Sequence, residues 1–334
     1  MKKKFLYFFQ IFFTILILIP NQSLADSNTI TSDSSTQQDI DGDGEFLTVK
    51  DNSTLATGAT TKAANVTGDS VDVTVESGST ISANTVAVFG DNTSDLTVTN
   101  SGTITASGTT AIDVKGTTDA TITNSSGGTI SSNRNTIRIS KTGSNNTTGM
   151  TITNSGTITA SNGSAIFASD SNSTATITNK IGGEITNSDA SNATIRAGAS
   201  STIVNSGKIT NDVGNDAIKL YGNNATITLK DGGIVVGKID GLLRTGSTLK
   251  FNHGVGQGYF YETEGDFTLE DLDGNQVVKG SAGSVGQGGN ENIDELLGYK
   301  SLNIRKSLNK FLKSEGFKNK KTAWQGIQAT SLER

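Results

Sequence analysis

The chain has 334 residues, of which 33% are hydrophobic and 6% aromatic, with a formal net charge of −5, a single proline and no cysteine. The absence of cysteine excludes a disulfide framework, and so small an apolar share is low for one compact globule of this length. Charge is also uneven. Setting aside the three lysines at the N-terminus, and residues 300–334 with nine basic and two acidic groups, leaves 15 basic against 30 acidic groups over residues 26–299. That excess of carboxylates argues against nucleic acid or an anionic membrane as a partner of the central region.

In chain order, the first predicted element is a secretory signal over residues 1–25. Lys2, Lys3 and Lys4 form its basic region, Phe5–Ile19 its apolar core, and Ser23-Leu24-Ala25 a small-x-small cleavage site, so the mature chain is expected to begin near Asp26. Export from the cytoplasm is expected from it. Residues 26–60 are rich in Ser, Thr and Asp with little periodicity, and read as a flexible lead-in or ragged cap.

From residue 61 to 241 one phrase keeps returning. It stands as VTNSGTITASG at Val98–Gly108, ITNSSGGTISS at Ile122–Ser132 and ITNSGTITASN at Ile152–Asn162, with looser copies at Ile177–Asn187, Ile203–Asn211 and Ile227–Gly237. With the Asn slot as a ruler, the marks fall at Glu76, Asn100, Asn124, Asn154, Asn179, Asn205 and Leu229, 24 to 30 residues apart. A period in that range marks stacked repeats. Each copy holds three short runs of alternating β-branched and polar residues, separated by Gly, Ser and Asn where corners are needed.

These features predict an all-β fold, a right-handed single-stranded parallel β-helix of about seven coils. Four inward columns are expected: Val86, Ile112, Ile137, Ile166, Ile195 and Ile218; Val88, Val114, Ile139, Ala168, Ala197 and Leu220; Val98, Ile122, Ile152, Ile177, Ile203 and Ile227; and Ile104, Ile130, Ile158, Ile185, Ile209 and Ile234. Asn100, Asn124, Asn154, Asn179 and Asn205 are placed either as a stacked amide ladder or as turn initiators before Ser-Gly.

Past the repeats, residues 242–280 gather Phe251, Tyr259, Phe260, Tyr261 and Phe267, and read as a β cap with a hairpin turning at Asp273-Gly274. A Gly/Ser/Gln linker follows at 281–292. Residues 293–315 have helical period, with Leu297, Ile304, Leu308, Phe311 and Leu312 on one stripe and Arg305, Lys306, Lys310 and Lys313 around it. This basic amphipathic helix is expected at a membrane surface, inside a pore, or against another domain. Residues 316–334 form a polar tail.

Signal, Thr/Ser/Asn/Gly-rich solenoid, aromatic segment, linker and basic helix, in that order, resemble the passenger of a bacterial autotransporter (type V secretion). The resemblance implies surface display, with Leu242–Gly280 as the junction that nucleates folding and Ile293–Lys313 as a helix threading an outer-membrane translocator barrel. No barrel strands follow Lys313, so that partner is expected to be missing from this chain or encoded separately.

Parallel β-helices also carry polysaccharide-cleaving sites, which need carboxylates on adjacent coils of one face. Asp113, Asp119, Arg134, Arg138, Asp170, Asp189, Arg196 and Asp216 are scattered among the coils, and Asp113 and Arg138 share one outward slot. A surface ion pair accounts for them. Asp39-x-Asp41-x-Asp43-Gly44 resembles the front half of a calcium loop, but Lys50 stands where a bidentate Glu belongs, which favours a solvated acidic turn. Asp271-x-Asp273-Gly274 suits turn chemistry, and His253 lacks a second ligand. The expected function is a non-enzymatic, surface-displayed or secreted stalk or adhesin, with no catalytic, cofactor or metal residue and with surface glycans as its contacts. The alternative is a β-helical polysaccharide-acting enzyme or phage-type spike.

Overall fold

A computed structural model describes residues 27–58, 61–168, 170–230, 232–252, 260–271 and 284–286. Its strands form three sheets of 11, 8 and 11 strands, here sheets I, II and III. The chain visits I, II and III in turn. One circuit runs through Thr121–Asn124, Thr129–Ser132 and Ile137–Ser140, and the next through Met150–Asn154, Thr157–Ala160 and Ile166–Ala168. Each strand pairs in parallel with its counterpart one circuit away, the antiparallel pairing of Phe260–Glu264 with Ser284–Gly286 being the exception among the described residues. The fold is thus a parallel β-solenoid of about nine turns, with no helix among the described residues. Ten inter-strand steps in sheet I, at about 4.8 Å each, give a rod roughly 48 Å long.

The turn count exceeds the expected seven because both flanks join the rod. Residues 27–58, expected as a flexible lead-in or ragged cap, belong to the rod. Ser27–Ile30 pairs with Phe46–Val49, which pairs with Asp72–Val75. Leu47, Val49 and Leu55 are completely buried, so the polar composition of this stretch hides one inward aliphatic at every second strand position. At the other end, Ser247–Asn252 and Phe267–Asp271 continue sheet I in parallel, and Leu249 and Leu269 extend the column of Ile227. The expected hairpin at Asp273-Gly274, His253, the linker apart from the strand Ser284–Gly286, the helix over 293–315, the tail and the signal lie outside the described residues.

Three of the four inward columns hold their register from Ile112, Val98 and Ile104 onward, with three local corrections. Val88, not Val86, faces Ile112, and Gly90 faces Val114. Val75, not Glu76, occupies the Asn slot next to Asn100. Val235, not Ile234, faces Ile209, which leaves Ile234 47% exposed. The physical reason for the last two is corner length. From the Asn slot to the next inward aliphatic is four residues at Asn100, Asn154 and Asn205. It is six at Val75, Asn124, Asn179 and Leu229, where Gly78, Gly127, Gly182 and Gly232 adopt positive φ.

The Asn column is a ladder. Asn100 Nδ2 donates to Asn124 Oδ1 at 2.8 Å, and Asn124, Asn154 and Asn179 each donate to the next Oδ1 at 2.9 Å. All five amides are wholly buried. Each Nδ2 also reaches corner carbonyls, as Asn154 does to Gly156 and Glu184 at 3.1 Å. Val75 stands above the stack and Leu229 below it, which leaves Asn100 Oδ1 as a buried acceptor without a donor.

Candidate functional site

The outward faces of sheets I and III differ sharply, and sheet II resembles sheet I in its file Thr54, Thr80, Thr103, Thr129 and Thr157. On sheet I, one file is Thr97, Thr121, Thr151, Thr176, Thr202, Thr226, Thr248 and Thr268 in unbroken register. The parallel file is Thr29, Thr48, Thr74, Thr99, Thr123, Thr153 and Thr178, then Val204 and Thr228. Within these two files no charged residue stands between Asp72 and Lys250, because threonine satisfies the strand without needing burial, and Lys230 lies beside them at the end of its strand.

Sheet III carries the ionic and aromatic groups. Its outward file runs Asp39, Asn65, Phe89, Asp113, Arg138, Phe167, Arg196, Lys219, Asp240 and Glu264. Asp113 and Arg138 meet as the sequence indicates, in a bidentate pair with Nε–Oδ1 at 2.8 Å and Nη2–Oδ2 at 2.6 Å. Asp113 is 3% exposed, so the pair closes on itself. Arg196 also lies in this file, but Asp170 does not. Asp170 stands beside it, 3.0 Å from Lys141, and the Asn172 N–H and Lys141 together hold its carboxyl below the usual range. Asp189 is consumed by its own loop, accepting from Ser191 N and Asn192 Nδ2 at 2.7 Å. Asp119 sits at a positive-φ corner, and Arg134 is exposed at another corner, in the turn that follows a sheet II strand.

Several members of this face escape sequence reading. Lys62 Nζ lies 3.4 Å from the Phe89 ring centroid, and burial pushes its amine down against the raising influence of Asp91, Asp113 and Asp39. Near the last turns Lys219 bonds Asp216 at 3.1 Å and Asp240 at 2.6 Å, while Lys238 reaches Asp216 at 3.3 Å and also pairs with Glu264. Arg196 stacks between rings, its Cζ 4.3 Å from the Phe167 centroid and 3.5 Å from that of Tyr221. The available signal was register: Phe167 and Arg196 each stand between two inward residues one coil apart.

The Asp216–Lys219–Lys238–Asp240–Glu264 cluster gives a pH test. Burial raises the Asp240 carboxyl, but the Lys219 hydrogen bond, the Leu242 N–H and both lysine charges outweigh it, so the net shift is downward. Hydrogen bonding to Asp240 raises Lys219, and hydrogen bonding to Glu264 raises Lys238. A lowered carboxyl contributes stability that is present above its unfolded value and lost as pH falls through the folded one. Raised lysines contribute below their unfolded value and lose it as alkali passes the folded one. Asp240→Asn is therefore expected to destabilise the last turns by about 1–2 kcal/mol at neutral pH. Urea titration of both proteins should show the gap closing below the ordinary carboxyl range, and a gap that persists at pH 2 would contradict this assignment.

The Asp39–Asp43 segment is folded into turn contacts. Asp39 Oδ1 accepts from Gln37 at 2.7 Å and Asn65 at 2.9 Å, and Asp43 Oδ1 accepts from Asp69 N at 3.0 Å. No group of three or more His, Cys, Asp or Glu side chains converges as a metal site among the described residues. Fold and surfaces together define the protein as an all-β parallel solenoid with threonine-rich faces on sheets I and II and an ionic face on sheet III. Beyond that class, comparison with protein-family models, curated proteins and solved structures finds no match to the chain.

Proposed function

We propose that this chain is the exported passenger of an autotransporter-like system, a non-enzymatic stalk or adhesin displayed at the cell surface or released. The observation that carries the reading is the allotment of side chains. Inward positions are taken up by aliphatic files and the Asn ladder, while the outward files are dominated by repeated threonines and, on sheet III, by ion pairs and the ring-stacked Arg196. Repeated threonines supply many weak equivalent contacts, which suits multivalent attachment to a surface glycan. In this reading the solenoid is right-handed, Leu242–Gly280 is the folding junction and cap, residues 293–315 form the threading helix, and the partner is an outer-membrane translocator barrel. The signal over residues 1–25 supports export.

The test is processing and location. Expressed in a Gram-negative host, the full chain is expected to lose residues 1–25, giving a mature N-terminus at Asp26 by mass spectrometry of the periplasmic or surface fraction. Full-length protein confined to the cytoplasm would overturn the export reading. The polysaccharide-acting alternative is tested separately: turnover of anionic glycans that disappears in Asp113→Ala would support it, whereas an unchanged glycan size distribution supports the stalk.

A further inference from the structure

We infer that the Arg196 guanidinium, held between Phe167 and Tyr221 with Arg244 beside it, is an anion-recognition site for the carboxylate or sulfate groups of an acidic polysaccharide. The inference rests on the surface-attachment reading and gives it a ligand class.

Residues 26–299 carry twice as many acidic as basic groups, so a cation there has ample opportunity to find a carboxylate. On the same outward file Arg138 pairs with Asp113 and Lys219 with Asp216 and Asp240. Arg196 lies between these two closed clusters and has no acidic partner among the described residues. It is instead half-buried, and its Nε is a buried donor without an acceptor. Burial pushes its pKa down, opposed only by Tyr221, yet an arginine stays a cation throughout the physiological range.

Two rings fix the plane of the guanidinium, which removes much of the rotamer freedom that a ligand would otherwise have to freeze. A planar guanidinium presents paired N–H donors along its edge, the arrangement that fits a carboxylate or a sulfate in two parallel bonds. Arg244 adds a second charge. Its Cζ is 5.9 Å from the Tyr221 centroid, its Nε donates to Leu220 O at 3.3 Å, and no carboxylate pairs with it among the described residues. Two uncompensated arginines on one tyrosine, in a rod that otherwise repels polyanions, make a local foothold for a negatively charged polymer.

Full-chain protein is titrated by calorimetry with polygalacturonate, dextran sulfate, neutral dextran and sodium sulfate. Binding to one or both acidic polymers is expected, weakening as salt rises, with none to neutral dextran. R196Q should weaken it at least about tenfold and R244Q by less, while K208Q on sheet II leaves it unchanged. Circular dichroism of each variant confirms that the solenoid is intact. Binding that survives R196Q, equal loss in K208Q, or a response to free sulfate alone would overturn the assignment. Because this assay uses purified protein, a negative result leaves export and display standing, and a cytoplasmic location would leave the measured binding standing.

Discussion

Gly156→Ala is expected to cost about 3 kcal/mol or more. A Cβ at Gly156 would press on the Gly128 carbonyl oxygen, lie 2.5 Å from that of Ser125 and 2.8 Å from Asn124 Nδ2. None of these atoms can retreat freely. Gly128 O accepts from Thr157 N and Ser125 O from Gly128 N, both at 2.9 Å, and Asn124 Nδ2 is held in the ladder. The proper control is Gly182→Ala. Gly182 has φ of +82° and nothing within 4 Å of its added Cβ, so only backbone strain of about 1–2 kcal/mol is expected. Urea unfolding followed by circular dichroism compares the two. Equal losses would mean that the coils are not packed as closely as the corner glycines require.

Asn154→Leu should be the second most damaging of these changes, at about 2–3 kcal/mol, although leucine occupies the equivalent slot at Leu229 without difficulty. Removing the Asn154 amide deprives Asn179 Oδ1 of its donor and takes a hydrogen bond from Gly156 O and Glu184 O. Asn124 Nδ2 keeps the carbonyls of Gly128 and Thr157 at 3.1 Å. Asn205→Leu is expected to cost only about 1 kcal/mol. There the amide above, Asn179 Nδ2, retains Gly183 O and Lys208 O at 3.2 Å, and no further amide waits below. Hydrogen exchange around each site reports the difference. If both substitutions were equally tolerated, the amides would be filling space rather than bonding.

The repeat made the solenoid legible because inward isoleucines recur with the same neighbours in every turn, and the column through Ile122 needed no revision. What failed were positions where the corner changes length. Ile234-Val235-Val236 offers three apolar residues in a row, and only the six-residue corner closed by Gly232 selects Val235. Residues 27–58 escaped for a related reason. Leu47, Val49 and Leu55 keep the period, but no TNSGT phrase marks their corners, where Asp51 and Asn52 take the positive φ instead. The ionic face was half legible. Asp113 and Arg138 share a slot number, whereas the Arg196–Tyr221 contact joins residues off one file and depends on side-chain reach that spacing does not encode.

The one-way run of amide donors along the Asn column makes every interior rung interchangeable with its neighbours. A whole turn duplicated between Asn124 and Asn154 would meet an Oδ1 on one side and an Nδ2 on the other, just as the resident rungs do. Rod length is thereby an adjustable quantity, open to growth by tandem copying of a gene segment, while a partial copy would throw every aliphatic out of its file.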